Sequence, residues 1–170
     1  MRELLETLGP WLHLLVGSNH DLPRLAERLK DSDSDVFVVE LDGIQMRDLD
    51  GMYDGFTLSM AFPEYFGRNG NAFDECINDL DWLGSKGYVV LISNAEQLLA
   101  DESQEQLSWF LEVMSRAGEE WSIEVRDSWQ RPPVPFHCVL QTANEAQADH
   151  LLETAHPNIR RLDVGSDVSI

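Results

Sequence analysis

The sequence predicts an α/β layered fold with a small, mostly parallel sheet packed by helices. Three observations carry that reading. Short apolar runs of strand length recur along the chain, and amphipathic stretches of helical period fall between them. Two of the runs, Val36–Leu41 and Tyr88–Ile92, are nearly continuous in Val, Leu, Ile and Phe, as strands covered on both faces tend to be. Strands alternating with helices imply right-handed crossovers. The 170 residues suit one domain, 1–170, able to bury a sizeable core.

The elements follow in order. Trp11–Val16 reads as the first strand. Asp21–Lys30 reads as a helix, with an acidic residue at its start and Pro23 in its first turn. Val36–Leu41 is the second strand. Asn69–Leu83 places Phe73, Cys76, Ile77, Leu80 and Leu83 on one helical stripe. After the strand Tyr88–Ile92, the segment Ser103–Ala117 repeats the stripe with Leu107, Phe110, Leu111 and Met114. Phe136–Leu140 is a further strand, and Asn144–Ala155 a further helix with Ala148, Leu151 and Leu152 on one face. Ser122–Val125 and Ile159–Val164 read as short additional strands, while Arg131–Pro135, rich in proline, cannot be helical.

Charge narrows the function. The chain holds 31 acidic and 12 basic residues, a net −19, and residues 36–120 alone carry 17 acids against 4 bases. Phosphate binding needs clustered basic residues, so direct contact with nucleic acid is not expected. A strong negative field favours a basic protein as partner. No apolar run approaches the ~18 residues of a membrane span, and Met1–Pro10 lacks the charged and apolar parts of a secretory signal. Cys76 and Cys138 are too few for a disulfide framework, which suits the reducing cytoplasm.

Motifs for metals and catalysis are missing. Asp31–Asp35 opens like a calcium loop, but Val36 stands where that loop needs glycine and Asp42 where it needs glutamate. The histidines His13, His20, His137, His150 and His156 show no metalloprotease spacing. Gly67-Arg68-Asn69-Gly70 lacks the strand that a dinucleotide fingerprint requires. Cys76 belongs to an apolar stripe and reads as core, as does Cys138 in its strand. The expectation is a non-enzymatic protein with no cofactor and no metal.

The most informative stretch is Phe62–Ile77. Pro63 sets a turn, Gly67 permits a left-handed bend, and Asn69 suits the N-cap of the helix that follows. On that helix Asn71, Glu75 and Asp79 form one polar stripe, with Asp74 and Asn78 beside it. Glu75 has no Lys or Arg three or four residues away, and its i+4 neighbour Asp79 is a like charge. Asp79 and Asp81 also fall where the helix dipole opposes them. A solvated surface tuned for stability would interleave lysines. An unneutralised stripe is better explained by a basic partner that neutralises it on docking.

This stretch resembles the barstar family, the intracellular inhibitors of barnase-type ribonucleases. The resemblance rests on Phe62-Pro63-Glu64-Tyr65-Phe66-Gly67, then Asn69, Ala72-Phe73 and Glu75-Cys76-Ile77. It extends more loosely over 36–140, leaving 1–35 as an N-terminal strand–helix extension and 141–170 as a C-terminal helix–strand extension. Both would widen the sheet of a barstar-like layered fold. The resemblance implies that a helix and its preceding loop plug a ribonuclease active site, with acids standing in for substrate phosphates. Tyr65 would then be the loop aromatic, and Asn71 and Glu75 the two main acidic positions.

The implied partner-binding set is Tyr65, Asn69, Asn71, Asp74, Glu75, Asn78, Asp79, Trp82 and Glu120, with Trp82 as a rim anchor and Trp109 as core. Four positions depart from the family pattern. Asn71 replaces an acid, Glu75 is longer than the usual Asp, Asp74 stands where an aromatic is common, and Arg116 falls near a position suited to an acid. Trp121–Pro135 reads as an insertion. These departures point to a cationic ribonuclease or nuclease toxin other than barnase. An interaction module that has lost inhibition stays open, as does, from another class, an enzyme using Asp74 and Glu75.

Overall fold

The computed structural model describes residues 1–18, 20–32, 35–126, 130–154 and 159–162. Five parallel strands form its sheet: β1 (Leu12–Val16), β2 (Val36–Asp42), β3 (Gly87–Ser93), β4 (Phe136–Thr142) and β5 (Ile159–Arg161), in the order β2-β3-β4-β1-β5. The helices are α1 (Asp21–Ser32), α2 (Leu49–Ser59), α3 (Gly70–Asp79), α4 (Gln104–Trp121) and α5 (Glu145–Thr154). β3 and β4 are central, and their runs are buried almost throughout, as continuous apolar composition requires of strands covered on both sides. Val36 pairs with Gly87, Tyr88 with Phe136, and Leu12 with both Cys138 and Ile159. β1 and β5 thus widen the sheet beyond β4.

Strand alternation sorts the interior into two layers. On one side Leu22, Leu25 and Leu29 of α1 pack with Leu15, Val89, Leu91 and Val139, beneath Leu4 of an N-terminal 3₁₀ turn. On the other, Val90, Ile92, Cys138 and Leu140 meet the inner stripes of α2, α3, α4 and α5. An aromatic cluster anchors this second layer: Phe73 of α3 lies 5.0 Å from Phe56 of α2 and 6.1 Å from Phe110 of α4, with ring planes steeply inclined to the first.

The structure departs from the sequence reading in several places. α2 was not anticipated; Gly51 and Gly55 mask it, yet Asp48 caps it by accepting the Gly51 N–H at 2.8 Å, and Met52, Phe56 and Met60 form its inner stripe. Gly51 is there because the chain passes close by: a Cβ would come within 2.4 Å of the Gln45 carbonyl oxygen. α3 ends at Asp79 rather than near Leu83, because Leu80 turns left-handed (φ 44°) to bury its side chain. The left-handed residue before α3 is Arg68 (φ 47°), not Gly67. Ser122–Val125 forms no strand; only Val125 bridges, antiparallel, to Arg131. Of the expected strand Ile159–Val164, the last two residues lie outside the described residues, as do Asp33 and Ser34 of the acidic loop, Ala155 at the end of α5, and His156.

Candidate interaction face

The loop before α3 is built by its turn residues. The Phe66 N–H donates to the Pro63 carbonyl at 2.9 Å, closing the turn the proline starts. The turn leaves Tyr65 projecting, 75% exposed, while its neighbour Phe66 packs edge-on against Tyr53 and Phe62. Asn69 then caps α3: its side chain accepts the Ala72 N–H at 3.0 Å and donates to the Gly67 carbonyl at 3.1 Å. Asn69 is therefore a structural cap whose amide is already used on both sides.

Helical period places Phe73, Cys76 and Ile77 inward and sends the polar residues out. Asn71, Glu75 and Asp79 are exposed along one line, as the sequence predicts. Glu75 and Asp79 form no ion pair among the described residues. Asp79 also reaches Tyr65 electrically: partial desolvation and then the Asp79 carboxylate push the Tyr65 phenol up. Tyr65, Glu75 and Asp79 thus share one exposed, electronegative face.

Asp74 differs, and the expectation of a wholly unneutralised surface is corrected there. Its Oδ1 lies 2.8 Å from Arg116 Nη2 of α4 and accepts the Asn78 amide at 3.2 Å; that amide also donates to the Asp74 carbonyl at 3.1 Å. The Asp74 bond, with the Glu120 and Glu112 carboxylates nearby, raises the Arg116 pKa. Glu120 sits 3.9 Å from Arg116 Nε, a looser pairing. One cation from α4 therefore divides the acidic surface in two. Asp74 is engaged with it, and Asn78 in turn with Asp74, whereas Glu75, Asp79 and Asp81 form no ion pair among the described residues. The pairing joins residues far apart in sequence, so periodicity alone could not show it.

Trp82 is less available than an anchor at a rim would be. Its indole N–H donates to the Met60 carbonyl at 2.8 Å and its ring packs on Phe62. Trp109, expected in the core, is half-buried and covers Gly70 and Phe73. It forms one wall of an open hollow of about 800 Å³ between the N-terminal ends of α2, α3 and α4, with Tyr53, Asp48, Asp50, Glu102 and Glu105 around it. Arg68 reaches across this hollow to Asp54 (2.5 Å) and Asp50 (3.2 Å), a second internal neutralisation that sequence reasoning missed.

Among the described residues the face brings together no nucleophile and base. Burial, then the Asp79 and Glu75 carboxylates, push the Cys76 thiol up, away from the reactive thiolate. The buried histidines His13 and His137 bond to each other at 3.0 Å. Strand alternation puts them with Leu15 and Val139 on the α1 side of the sheet, across from α3. Among the described residues no three His, Cys, Asp or Glu side chains converge to hold a metal ion, and no helix is long and apolar enough to cross a membrane.

What the arrangement offers is recognition: an exposed aromatic and open carboxylates on a helix pinned to a rigid aromatic core. A search of characterised proteins finds no match to the chain. The family model described as Barstar (barnase inhibitor) matches residues 36–141, which run from β2 through α2, α3 and α4 to β4 and include the whole of the α3 face. A match over more than half of the chain, on a parallel α/β sheet with its capped acidic helix in place, shows that the chain belongs to the Barstar family, whose members are inhibitors rather than enzymes.

Proposed function

We propose that this protein is a non-enzymatic, cytoplasmic inhibitor of a basic ribonuclease or nuclease toxin, an immunity protein that occludes the active site with α3 and the loop before it. The carrying observation is that Glu75 and Asp79 stand exposed and, among the described residues, without an ion pair beside the projecting Tyr65, in a family of barnase inhibitors. A nuclease cleft that receives phosphates presents arginines and lysines, and carboxylates on a rigid helix can take the phosphates' place. Tyr65 would cover the rim of the cleft and exclude water from those pairs. Asn71 would contribute a neutral amide, and Glu75 a longer reach. The summed negative charge would speed encounter with a cationic enzyme.

The test is titration of purified barnase and other cationic ribonucleases with the wild-type protein, reading ribonuclease activity. Stoichiometric inhibition of one of them, lost when Glu75→Ala is combined with Tyr65→Ala, is the expected result. Inhibition unaffected by that double change would remove the face from the mechanism. Raising salt should slow association, since exposed charges are screened beyond ~8–10 Å at physiological ionic strength.

One observation favours a second reading, an interaction module that binds a basic protein without inhibiting it. Arg116, held against Asp74, places a cation in the middle of the acidic surface. A cationic active site docking squarely there would meet like charge. Tight binding to a ribonuclease with turnover undiminished would decide for this reading.

A further inference from the structure

We infer that the groove where the C-terminal ends of α3 and α4 meet the chain returning at residues 130–132 is a second docking subsite, which takes an apolar side chain flanked by lysine or arginine on a basic protein partner. The inference rests on the function proposed above, because the same partner would fill it. The groove has a volume of about 740 Å³ and is bordered by Asp79, Asp81, Glu120, Ile123, Arg131 and Pro132. Ile123 is 62% exposed, an aliphatic side chain among carboxylates.

Its wall is fixed. The Arg131 guanidinium lies 4.0 Å from the Trp121 ring centroid and donates to the Trp121 and Glu120 carbonyls at 3.0 and 3.1 Å. Val125 and Arg131 exchange backbone hydrogen bonds of 2.9 and 3.1 Å, holding the return of the chain beside Ile123. Among the described residues, Arg131 is the one cation bordering the groove, and it is committed to the groove's own structure. Asp79 and Asp81 form no ion pair among the described residues, and Glu120 has only the 3.9 Å approach of Arg116.

Two further points select the occupant. Asp79 belongs both to the α3 face and to this groove, so a partner seated on Tyr65 and Glu75 extends into it without a break. A net charge of −19 sets carboxylates against carboxylates if a second copy docks, and repels an anionic lipid surface equally. A basic segment meets neither obstacle. Its aliphatic stems and apolar residue cover Ile123 while its charged heads reach Asp79, Asp81 and Glu120.

The probes are the blocked peptides Ac-Lys-Leu-Arg-NH₂, Ac-Lys-Gly-Arg-NH₂ and Ac-Glu-Leu-Glu-NH₂, titrated into the ¹⁵N-labelled full chain. The first should shift the Ile123, Val125, Asp79, Asp81 and Glu120 amides saturably. The glycine peptide should bind about tenfold more weakly, the loss expected for one poorly replaced aliphatic side chain, and the acidic peptide should not bind. Ile123→Asp, on an exposed side chain and checked for an unchanged melting profile, should abolish the leucine peptide's advantage. Equal response to the leucine and glycine peptides, shifts spread evenly over all acidic surfaces, or indifference to Ile123→Asp would overturn the subsite. The Glu75 and Tyr65 titration tests inhibition separately: a groove that fails leaves that reading standing, and peptide capture without inhibition of any ribonuclease sinks the reading and keeps the groove.

Discussion

α1 and α3 lie on opposite sides of the same sheet and bury similar apolar stripes, yet their outer surfaces differ. α1 intersperses Asp21, Arg24, Glu27, Arg28, Lys30 and Asp31, and its Lys30 sits in the last turn, where the helix dipole favours a cation. Lys30 also reaches Glu40 of β2 at 3.1 Å. α3 carries no basic residue, and its last turn holds Asp79, which the dipole opposes. It even ends on a left-handed leucine instead of the usual glycine. The outer surface of α1 thus assists its own helix, whereas α3 is held by its buried side chains, its Asn69 cap and one arginine from α4. A surface that does little for its own helix is free to be shaped for something else.

That contrast can be broken first from the inside. Phe73 touches the rings of Tyr53, Phe56, Phe62, Trp109 and Phe110 and is fully buried. Phe73→Ala should cost about 3–5 kcal/mol in urea unfolding, from lost burial and the cavity left behind. Leu25→Ala on α1 should fall in the leucine range of about 2–5 kcal/mol. If Phe73→Ala cost less than 1 kcal/mol, α3 would not be core-held and its acidic surface would need another explanation.

The outer surfaces come next. Glu75→Ala with Tyr65→Ala should weaken the complex with the inhibited ribonuclease by about thirtyfold or more, because anchors at the centre of an interface typically lose at least ~2 kcal/mol on truncation, a rule drawn in part from this family's namesake complex. Glu27→Ala with Asp31→Ala on α1 removes two acids where the α3 pair removes one, and should still leave the equilibrium affinity nearly unchanged. Equal losses from the two pairs would mean that overall charge, not the α3 face, holds the partner.

A third test uses the histidines on the α1 side. Burial, then His137, Arg160 and the chain's amino terminus, push His13 down to about 3. Burial also lowers His137, whose Nε2 bonds the Glu6 carbonyl at 2.8 Å. Both are held neutral in the folded state, while the unfolded chain takes up protons near ~6.5. Stability should be complete above that pH and fall as pH drops below it, by up to ~1.4 kcal/mol per pH unit for each histidine. Comparing urea midpoints at pH 7.5 and 5.5 reads the slope, and His13→Gln with His137→Gln should flatten it. A flat profile in the wild type would show that the pair is not held neutral.

Much of this arrangement was legible in the sequence, for physical reasons. The strands of β2, β3 and β4 announced themselves because burial on both faces demands continuous apolar residues. The outward line Asn71, Glu75 and Asp79 followed from helical period once Asn69 was read as a cap. α2 was hidden because two glycines lower its helical propensity by about 1 kcal/mol each, although Asp48 and the spacing of Met52, Phe56 and Met60 were signals enough. Arg116 on Asp74 and Arg68 on Asp50 and Asp54 were not legible, since ion pairs across elements depend on how helices are set against each other. The early end of α3 was a tertiary effect as well: burial of Leu80 overrides the backbone preference that would have carried the helix on.

The smallest expected effect separates the two explanations of the acidic surface most cleanly. Asp79→Lys puts a cation in the last turn of α3, where the dipole favours it, and places it four residues after Glu75, the better orientation for such a pair. It also removes a like-charge neighbour. The helix should therefore gain about 0.3–1 kcal/mol, read as a modest rise in melting temperature. If α3 were an ordinary solvated surface, nothing else would change. If its charge serves a basic partner, the more stable variant should associate more slowly with the inhibited ribonuclease and bind it less tightly, because the gain for the helix comes from neutralising what the partner recognises. A variant that is both more stable and an undiminished inhibitor would show that Asp79 lies outside the docking face.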